Sequence, residues 1–144
     1  MKTRIALFIP HLAAGGVQRC LIFLAKGFLN HGLEVDFVVG QAEGPFRKHI
    51  PPGVNLVDLH SSHIRSALPG LIHYLHISSP VALLSAQTHA NIIAAWACKL
   101  SRNKIRLVVS EHNNMASVVQ SPGAGKDRLR PILSRLFYPW AQEV

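Results

Sequence analysis

Short apolar runs and longer amphipathic segments alternate between residue 5 and residue 110. The first run, residues 5–9, is apolar throughout and is closed by Pro10, a pattern typical of a strand buried on both faces of a parallel sheet. From Val17 onward, apolar residues return at helical spacing until the polar stop that precedes Gly32. The sequence therefore opens with a predicted strand, a glycine-containing loop and a helix.

The same alternation continues along the chain, where four further apolar runs predict strands and two further amphipathic segments predict helices. The predicted strands are residues 35–39, 54–59, 81–85 and 107–110, and the predicted helices are residues 66–77 and 91–100. Because helices separate the strands, the strands need crossover connections and run parallel. The pattern therefore predicts an α/β fold with a doubly wound parallel sheet and helices on both faces.

The last third of the chain has a different character. Residues 113–126 show little periodicity and contain glycine, serine and proline, which predicts a long loop. Residues 127–138 predict a helix with apolar residues on one side and arginines interspersed. The basic and apolar segment 126–140 has two interpretations: a surface that contacts an anionic membrane, or a helix that packs on the sheet and exposes its arginines. We expect residues 1–144 to form one domain of a longer protein.

The charge balance suits either an anionic partner or a solvated basic surface with no specific partner. The 144 residues contain 15 Lys and Arg against 7 Asp and Glu, which gives a net charge of +8. Phosphate-bearing ligands, an anionic membrane surface and nucleic acid all suit such a chain. We disfavour nucleic acid, because the sequence carries no recognition motif for it.

The distribution of apolar residues also bears on the cellular compartment. Lys26 and Asn30 interrupt the longest apolar stretch, which is therefore shorter than the roughly 18 residues of a spanning helix. Cys20 and Cys98 lie in apolar segments without a paired spacing, which predicts buried, reduced thiols. We therefore expect a cytoplasmic protein, attached at most to the inner face of the membrane.

The first loop carries the strongest chemical signal, because Gly15 and Gly16 follow the first strand and open the first helix. Ligands of open α/β sheets bind beyond the carboxyl ends of the strands. Two residues without side chains let a diphosphate approach the backbone, and the helix N-terminus favours negative charge. Two glycines also suit a tight turn without any ligand. The loop lacks the glycine spacing of dinucleotide-binding domains, and residues 123–126 do not complete a Walker motif.

The motifs around this loop resemble the opening of family-4 glycosyltransferases. Residues 15–19 are Gly-Gly-Val-Gln-Arg and residues 31–35 are His-Gly-Leu-Glu-Val, where the family usually has Gly-Gly-Ala-Glu-Arg and Arg-Gly-His-Glu-Val. The resemblance continues through residues 80–84 and 108–112. It implies the N-terminal, Rossmann-like, acceptor-side domain of a retaining GT-B enzyme, whose C-terminal nucleotide-sugar-binding domain is not in this chain.

The resemblance also implies roles for individual residues. His112, directly after the last predicted strand, corresponds to the family's histidine at the reaction centre, where an imidazole can bind a sugar hydroxyl or accept a proton. Gly15 and Gly16 would bind the donor diphosphate. Candidates for the acceptor or sugar cleft are His89, Asn91, Glu111 and Asn113. These four residues also suit ordinary turns and helix starts.

The substrates implied by the resemblance are a nucleotide-sugar, such as a UDP-sugar, and a hydroxyl acceptor on a polysaccharide, lipid-linked or other glycan. No metal or other cofactor is expected, because helix dipoles and basic side chains stabilise the leaving diphosphate in this family. The pairs His60 with His63 and His73 with His76 have no acidic or cysteine ligand grouped with them, and we interpret them as surface histidines. We expect the chain to be inactive alone. The alternative is a non-enzymatic Rossmann-like domain that binds a nucleotide or phosphate.

Overall fold

A computed structural model describes residues 2–111, and within this range strands and helices alternate. The strands are β1 (Arg4–His11), β2 (Glu34–Gln41), β3 (Asn55–Asp58), β4 (Ala82–Ala86) and β5 (Arg106–Ser110). The helices are α1 (Gly16–Asn30), α2 (Ala67–Ser78) and α3 (Thr88–Ser101), with short 3₁₀ turns at Arg47–His49 and Ile64–Ser66. The predicted loop 113–126 and helix 127–138 lie outside the described residues, as do His112 and Asn113.

The five strands form one sheet in the order β3-β2-β1-β4-β5, and every neighbouring pair is parallel. The central strand β1 places Leu7 beside Phe37 of β2 and Leu84 of β4. The chain thus moves outward from β1 in one direction, then crosses back to the other side of β1 through α2. This confirms the predicted α/β fold with a doubly wound parallel sheet.

The core has two layers because helices cover both faces of the sheet. Ala6 and Phe8 of β1 face α2 and α3, whereas Leu7 and Ile9 face α1. All four residues are fully buried. Burial on both faces explains why β1 is a continuous apolar run rather than an alternating one.

Strand β1 continues through Pro10 to His11, whereas the sequence pattern predicts that it ends before Pro10. Pairing with β4 stops at Phe8 and Ser85, whereas pairing with β2 continues to His11 and Gln41. Pro10 therefore lies past the last pair on the β4 side, where its missing N–H removes no ladder hydrogen bond. The extra residues bring His11 to the carboxyl edge of the sheet.

Helix α1 buries one side and exposes the other, and this contradicts the prediction that Cys20 is buried. Leu21 and Ala25, four residues apart, are buried against the sheet. Cys20 is exposed rather than buried, because the helical rotation places it beside the buried stripe. Cys98 of α3 is partly buried, and burial raises the pKa of its thiol to about 12. Within residues 2–111, no helix is both long and apolar enough to cross a membrane.

Candidate functional site

A pocket of about 270 Å³ lies at the carboxyl edge of the sheet. The strand order reverses between β1 and β4, and in doubly wound sheets ligands bind in the crevice at such a point. The lining residues come from the ends of β1 and β2, the segment after β3, and the start of α3. They are Pro10, His11, Gly40, Gln41, Ser61, Ser62, His63, Ile64, Gln87 and His89.

The glycine loop lies next to this edge and begins α1. Gly15 is the N-cap residue, with an extended backbone, and Gly16 is the first helical residue. The amide of Arg19 donates to the carbonyl of Gly15 at 3.2 Å, which closes the first helical turn. No side chain in the described part of the chain caps this helix end. Its first-turn N–H groups and its dipole therefore suit an anion.

The two glycines differ in what surrounds them. A Cβ atom on Gly15 would lie 2.6 Å from Oε1 of Gln18, a buried side chain whose Nε2 donates to the carbonyl of His11 at 3.4 Å. A Cβ atom on Gly16 would meet nothing within 4 Å. A side chain at Gly15 would therefore require the end of the Gln18 side chain to move. Among residues 2–111, no atom occupies the corresponding space beside Gly16.

A third glycine, which sequence reasoning missed, holds the neighbouring loop against this site. Gly44 has a φ of +146°, and a Cβ there would lie 2.4 Å from the carbonyl oxygen of Leu12. That same oxygen accepts the amide of Phe46 at 3.1 Å. The β2–β3 connection therefore packs against the backbone just before the glycine loop. The Gly44-Pro45 dipeptide was the available signal, since such pairs mark specific turns.

The candidate residues on α3 and β5 occupy two different places. His89 is exposed and lines the pocket. Asn91 is fully buried, and its Nδ2 donates to the carbonyl of Ser110 at 3.1 Å. Glu111 accepts a hydrogen bond from Thr88 Oγ1 at 2.7 Å. The structure thus brings His89 to the pocket, whereas Asn91 and Glu111 connect the end of β5 to the start of α3.

The residue before α3 has an uncommon backbone conformation. Gln87 lines the pocket with a φ of +80° and a ψ of 137°, a region that residues with a Cβ seldom adopt. Such conformations persist where the surrounding structure enforces them, and they cluster at functional sites. The sequence offers no signal for it, because glutamine has no special preference for this region.

The pocket contains two histidines that the sequence argument did not select. His11 follows Pro10 at the end of β1, and His63 follows β3. His60 points elsewhere: it is 85% exposed and its Nδ1 lies 3.5 Å from Asp58 Oδ2. Among the described residues, no three His, Cys, Asp or Glu side chains form a group suited to a metal ion.

A second polar cluster lies near the opposite edge of the sheet. Asp36, which is 3% exposed, accepts hydrogen bonds from Tyr74 Oη at 2.6 Å and Asn55 Nδ2 at 3.3 Å. Arg4 lies 3.8 Å from the same carboxylate and pairs with Glu34 at 2.9 Å. Burial, followed by the hydrogen bond to Asp36, raises the pKa of Tyr74. These side chains form hydrogen bonds and ion pairs with one another, and none of them lines the pocket at the carboxyl edge.

Three solved structures superpose on most of this chain. Sucrose-phosphate synthase from Thermosynechococcus elongatus does so with a TM-score of 0.71 and 16% identity, over 94% of this chain and 40% of that one. MurG from Acinetobacter baumannii gives 0.62 and 13%, over 99% and 41%. SnogD from Streptomyces nogalater, a glycosyltransferase, gives 0.52 and 15%, over 97% and 42%. At these identities the likeness establishes the fold.

The chain spans about 40% of the length of these three proteins. No curated protein sequence matches it. The sequence profile of Glycosyltransferase Family 4, however, matches residues 14–144, which include the glycine loop, α1 and every later element. This match covers most of the chain, and the fold agrees with it: the chain belongs to Glycosyltransferase Family 4.

Proposed function

We propose that this domain is the acceptor-side half of a glycosyltransferase that moves a sugar from a nucleotide-sugar to a hydroxyl group of a glycan. The observation that carries the proposal is Gly16: it opens a helix near the switch-point pocket, and no described residue fills the space of its missing side chain. Membership of Glycosyltransferase Family 4 supports the reaction class.

In this proposal the glycine loop binds the donor diphosphate. The first-turn amides of α1 stabilise its charge, which grows on the leaving group as the glycosidic bond breaks. Gly16 lets a phosphate oxygen come close to the backbone. The exposed side chain of Arg19, one turn into the helix, adds positive charge at the same end.

The pocket beside the loop would hold the acceptor. His11, Gln41, His63 and His89 supply imidazole and amide groups that can both donate and accept hydrogen bonds, which suits sugar hydroxyl groups. They come from four separate segments of the chain, so that an acceptor would contact several of them at once. The acceptor we favour is a polysaccharide or lipid-linked glycan.

His112 would lie at the reaction centre, directly after the described end of the chain. Glu111 bonds to Thr88 and the carbonyl of Ser110 accepts from Asn91, so the two residues that precede His112 are held to α3. An imidazole there would accept a hydroxyl proton or bind the transferred sugar. We propose that transfer retains the configuration of the sugar, which NMR of the first-formed product would reveal.

We further propose a UDP-sugar donor, a cytoplasmic location and catalysis without a metal ion. The basic side chains and helix end described above would neutralise the leaving diphosphate. Treatment with EDTA is then expected to leave the rate unchanged, and loss of activity that only a divalent cation restores would contradict this.

The decisive experiment measures nucleotide release by the complete protein with a panel of UDP- and GDP-sugars, with and without glycan acceptors. His112→Ala is expected to lower kcat about 100-fold or more, as for the loss of a general base. Gly16→Val is expected to weaken donor binding. Gly27→Ala is the matched control, since it also lies in α1 with open space around it, but far from the loop.

The outcomes separate the proposal from its alternative. One donor consumed by the complete protein, with both site variants impaired and the control active, supports sugar transfer. We expect residues 1–144 alone to show no turnover. If no donor is consumed but nucleotides raise the thermal midpoint, the protein is a non-enzymatic nucleotide-binding member of the family. Unchanged activity in His112→Ala would remove that residue from the mechanism.

A further inference from the structure

The outer side of α1 exposes apolar side chains that the fold does not use. Phe23 is 67% exposed and Leu24 is 39% exposed, and Cys20 beside them is exposed as well. We refer to this surface as the α1 patch, defined by Arg19, Cys20, Phe23, Leu24 and Lys26. An exposed apolar group on a helix that already has a buried side suggests an interaction.

The spacing places cations on both sides of the aromatic ring. Arg19 precedes Phe23 by four residues and Lys26 follows it by three, so that all three lie on one side of the helix. Both basic side chains are exposed. Long basic side chains can lie along an apolar surface and extend their charges outward to its rim.

Two surface hollows extend the apolar area on either side of Phe23. One, of about 430 Å³, is shared with Ile22, Phe46, Pro51 and Pro52. The other, of about 570 Å³, lies towards the end of α1 and is mostly apolar; its remaining lining includes Gly27, Phe28 and Leu33. Phe23 is thus the centre of a continuous apolar surface rather than an isolated exposed ring.

A second basic group borders the first hollow. Arg47, Lys48 and His49 are consecutive and exposed, and His49 lines the hollow and stacks on Phe46 with ring centroids 5.2 Å apart. Neither residues 16–33 nor residues 44–53 contain an aspartate or glutamate. The part of the apolar surface around the first hollow is therefore bordered by basic side chains.

We propose that the α1 patch binds an anionic lipid membrane, with Phe23 and Leu24 in the acyl boundary and the basic residues at the lipid phosphates. A helix that lies in the membrane plane with an apolar side and flanking cations has this combination of groups. Self-association through the patch would bring like charges together, which opposes a symmetric contact. The proposal rests on Phe23, Leu24 and Lys26 and does not require sugar transfer, although Arg19 belongs both to this patch and to the proposed diphosphate site.

The first test is flotation of the complete protein with vesicles, without donor or acceptor. Vesicles that contain phosphatidylglycerol should bind it, and vesicles of phosphatidylcholine should not. Phe23→Glu should weaken binding about tenfold or more, and Lys26→Glu about fivefold. Ile77→Glu is the matched control, because Ile77 is also 67% exposed but lies on α2, across the sheet. Lys104→Glu, an exposed lysine outside the patch, is the control for charge.

A second readout uses the unmodified protein. Anionic vesicles should protect Cys20 from alkylation, whereas Cys98, whose pKa burial raises to about 12, should react slowly with or without vesicles. Equal binding to both vesicle types, equal loss in Phe23→Glu and Ile77→Glu, or full alkylation of Cys20 on vesicles would each overturn the proposal. A wild-type dimer that Phe23→Glu dissociates, without vesicle binding, would assign the patch to self-association instead.

Discussion

The two edges of the sheet use the same classes of polar residue in opposite ways. Near the amino edge, the Asp36 carboxylate accepts hydrogen bonds from Tyr74 and Asn55 and forms an ion pair with Arg4. At the carboxyl edge, polar side chains from four chain segments line an open pocket next to an uncapped helix end. The hydrogen bonds and ion pairs around Asp36 indicate a structural role for the first edge, whereas the second edge holds the open pocket that we propose as a binding site.

Because of this contrast, substitutions can separate effects on stability from effects on ligand binding. Changes at the amino edge should alter the free energy of unfolding and leave ligand binding intact. Changes at Gly16 should do the reverse, because the fold leaves that position open. A change at Gly44 should affect both stability and ligand binding, because its backbone contact with Leu12 shapes the loop beside the pocket.

The largest effect on stability is expected from Asp36→Ala. Removal of a buried carboxylate leaves Tyr74 and Asn55 without their acceptor, and we expect a loss of about 3 kcal/mol in the free energy of unfolding. Urea unfolding measures this. Asp36→Asn keeps an acceptor for the Tyr74 hydroxyl and should lose less. A stability equal to that of the unmodified protein would mean that the cluster contributes nothing.

Gly44→Ala should follow, with a loss of about 2 kcal/mol. Its Cβ would collide with the carbonyl of Leu12, which is backbone and cannot rotate away, at a φ that suits glycine. The control is Gly27→Ala, where the added methyl group meets nothing. If both variants unfold at the same urea concentration, the close approach at Leu12 is not required.

Tyr74→Phe should cost about 1.5 kcal/mol at neutral pH, because it removes one buried hydrogen bond to a carboxylate. It should also change the pH dependence. The folded protein raises the pKa of Tyr74 above the ordinary value of 10.0, so only the unfolded chain loses this proton above about pH 10. Stability should therefore fall as the pH rises past 10. The phenylalanine variant should show a shallower fall, and identical slopes would contradict the shift.

The smallest change in stability is expected from Gly16→Ala. An alanine at the first helical position meets no neighbour, so the free energy of unfolding should stay within about 0.5 kcal/mol. Gly27→Ala, in the helix interior, should gain roughly 0.5–1 kcal/mol. Donor binding, measured by calorimetry on the complete protein, should weaken only in Gly16→Ala. Equal donor affinity in both variants would show that Gly16 does not contribute to donor binding.

Much of the fold was predictable because both faces of the sheet are covered. Burial on both faces makes β1 a continuous apolar run and leaves β2 mostly apolar around Asp36, a signal that needs no knowledge of their partners. Helix α1 gave a less definite signal. Its apolar residues extend from the buried side onto the outer side that also carries Arg19 and Lys26, so the pattern did not reveal that Cys20 and Phe23 face outward.

The site was predictable only where its residues are close in sequence. The glycine pair follows β1 after three residues, and the structure places it at a helix start, as expected. The pocket joins His11, Gln41, His63 and His89, which the fold alone brings together. The Gly44-Pro45 dipeptide indicates a turn but not its contact with Leu12, and no sequence pattern encodes the conformation of Gln87.

The unequal surroundings of the paired glycines have a consequence for how the motif varies. A side chain at position 15 would meet the end of the Gln18 side chain, so substitutions at position 15 should be accommodated best when the residue at position 18 is shorter or turns aside. Position 16 is free of that internal constraint. In a library that randomises all three positions, selection for folding alone should couple 15 to 18 and leave 16 unrestricted. Selection for substrate use should then narrow position 16.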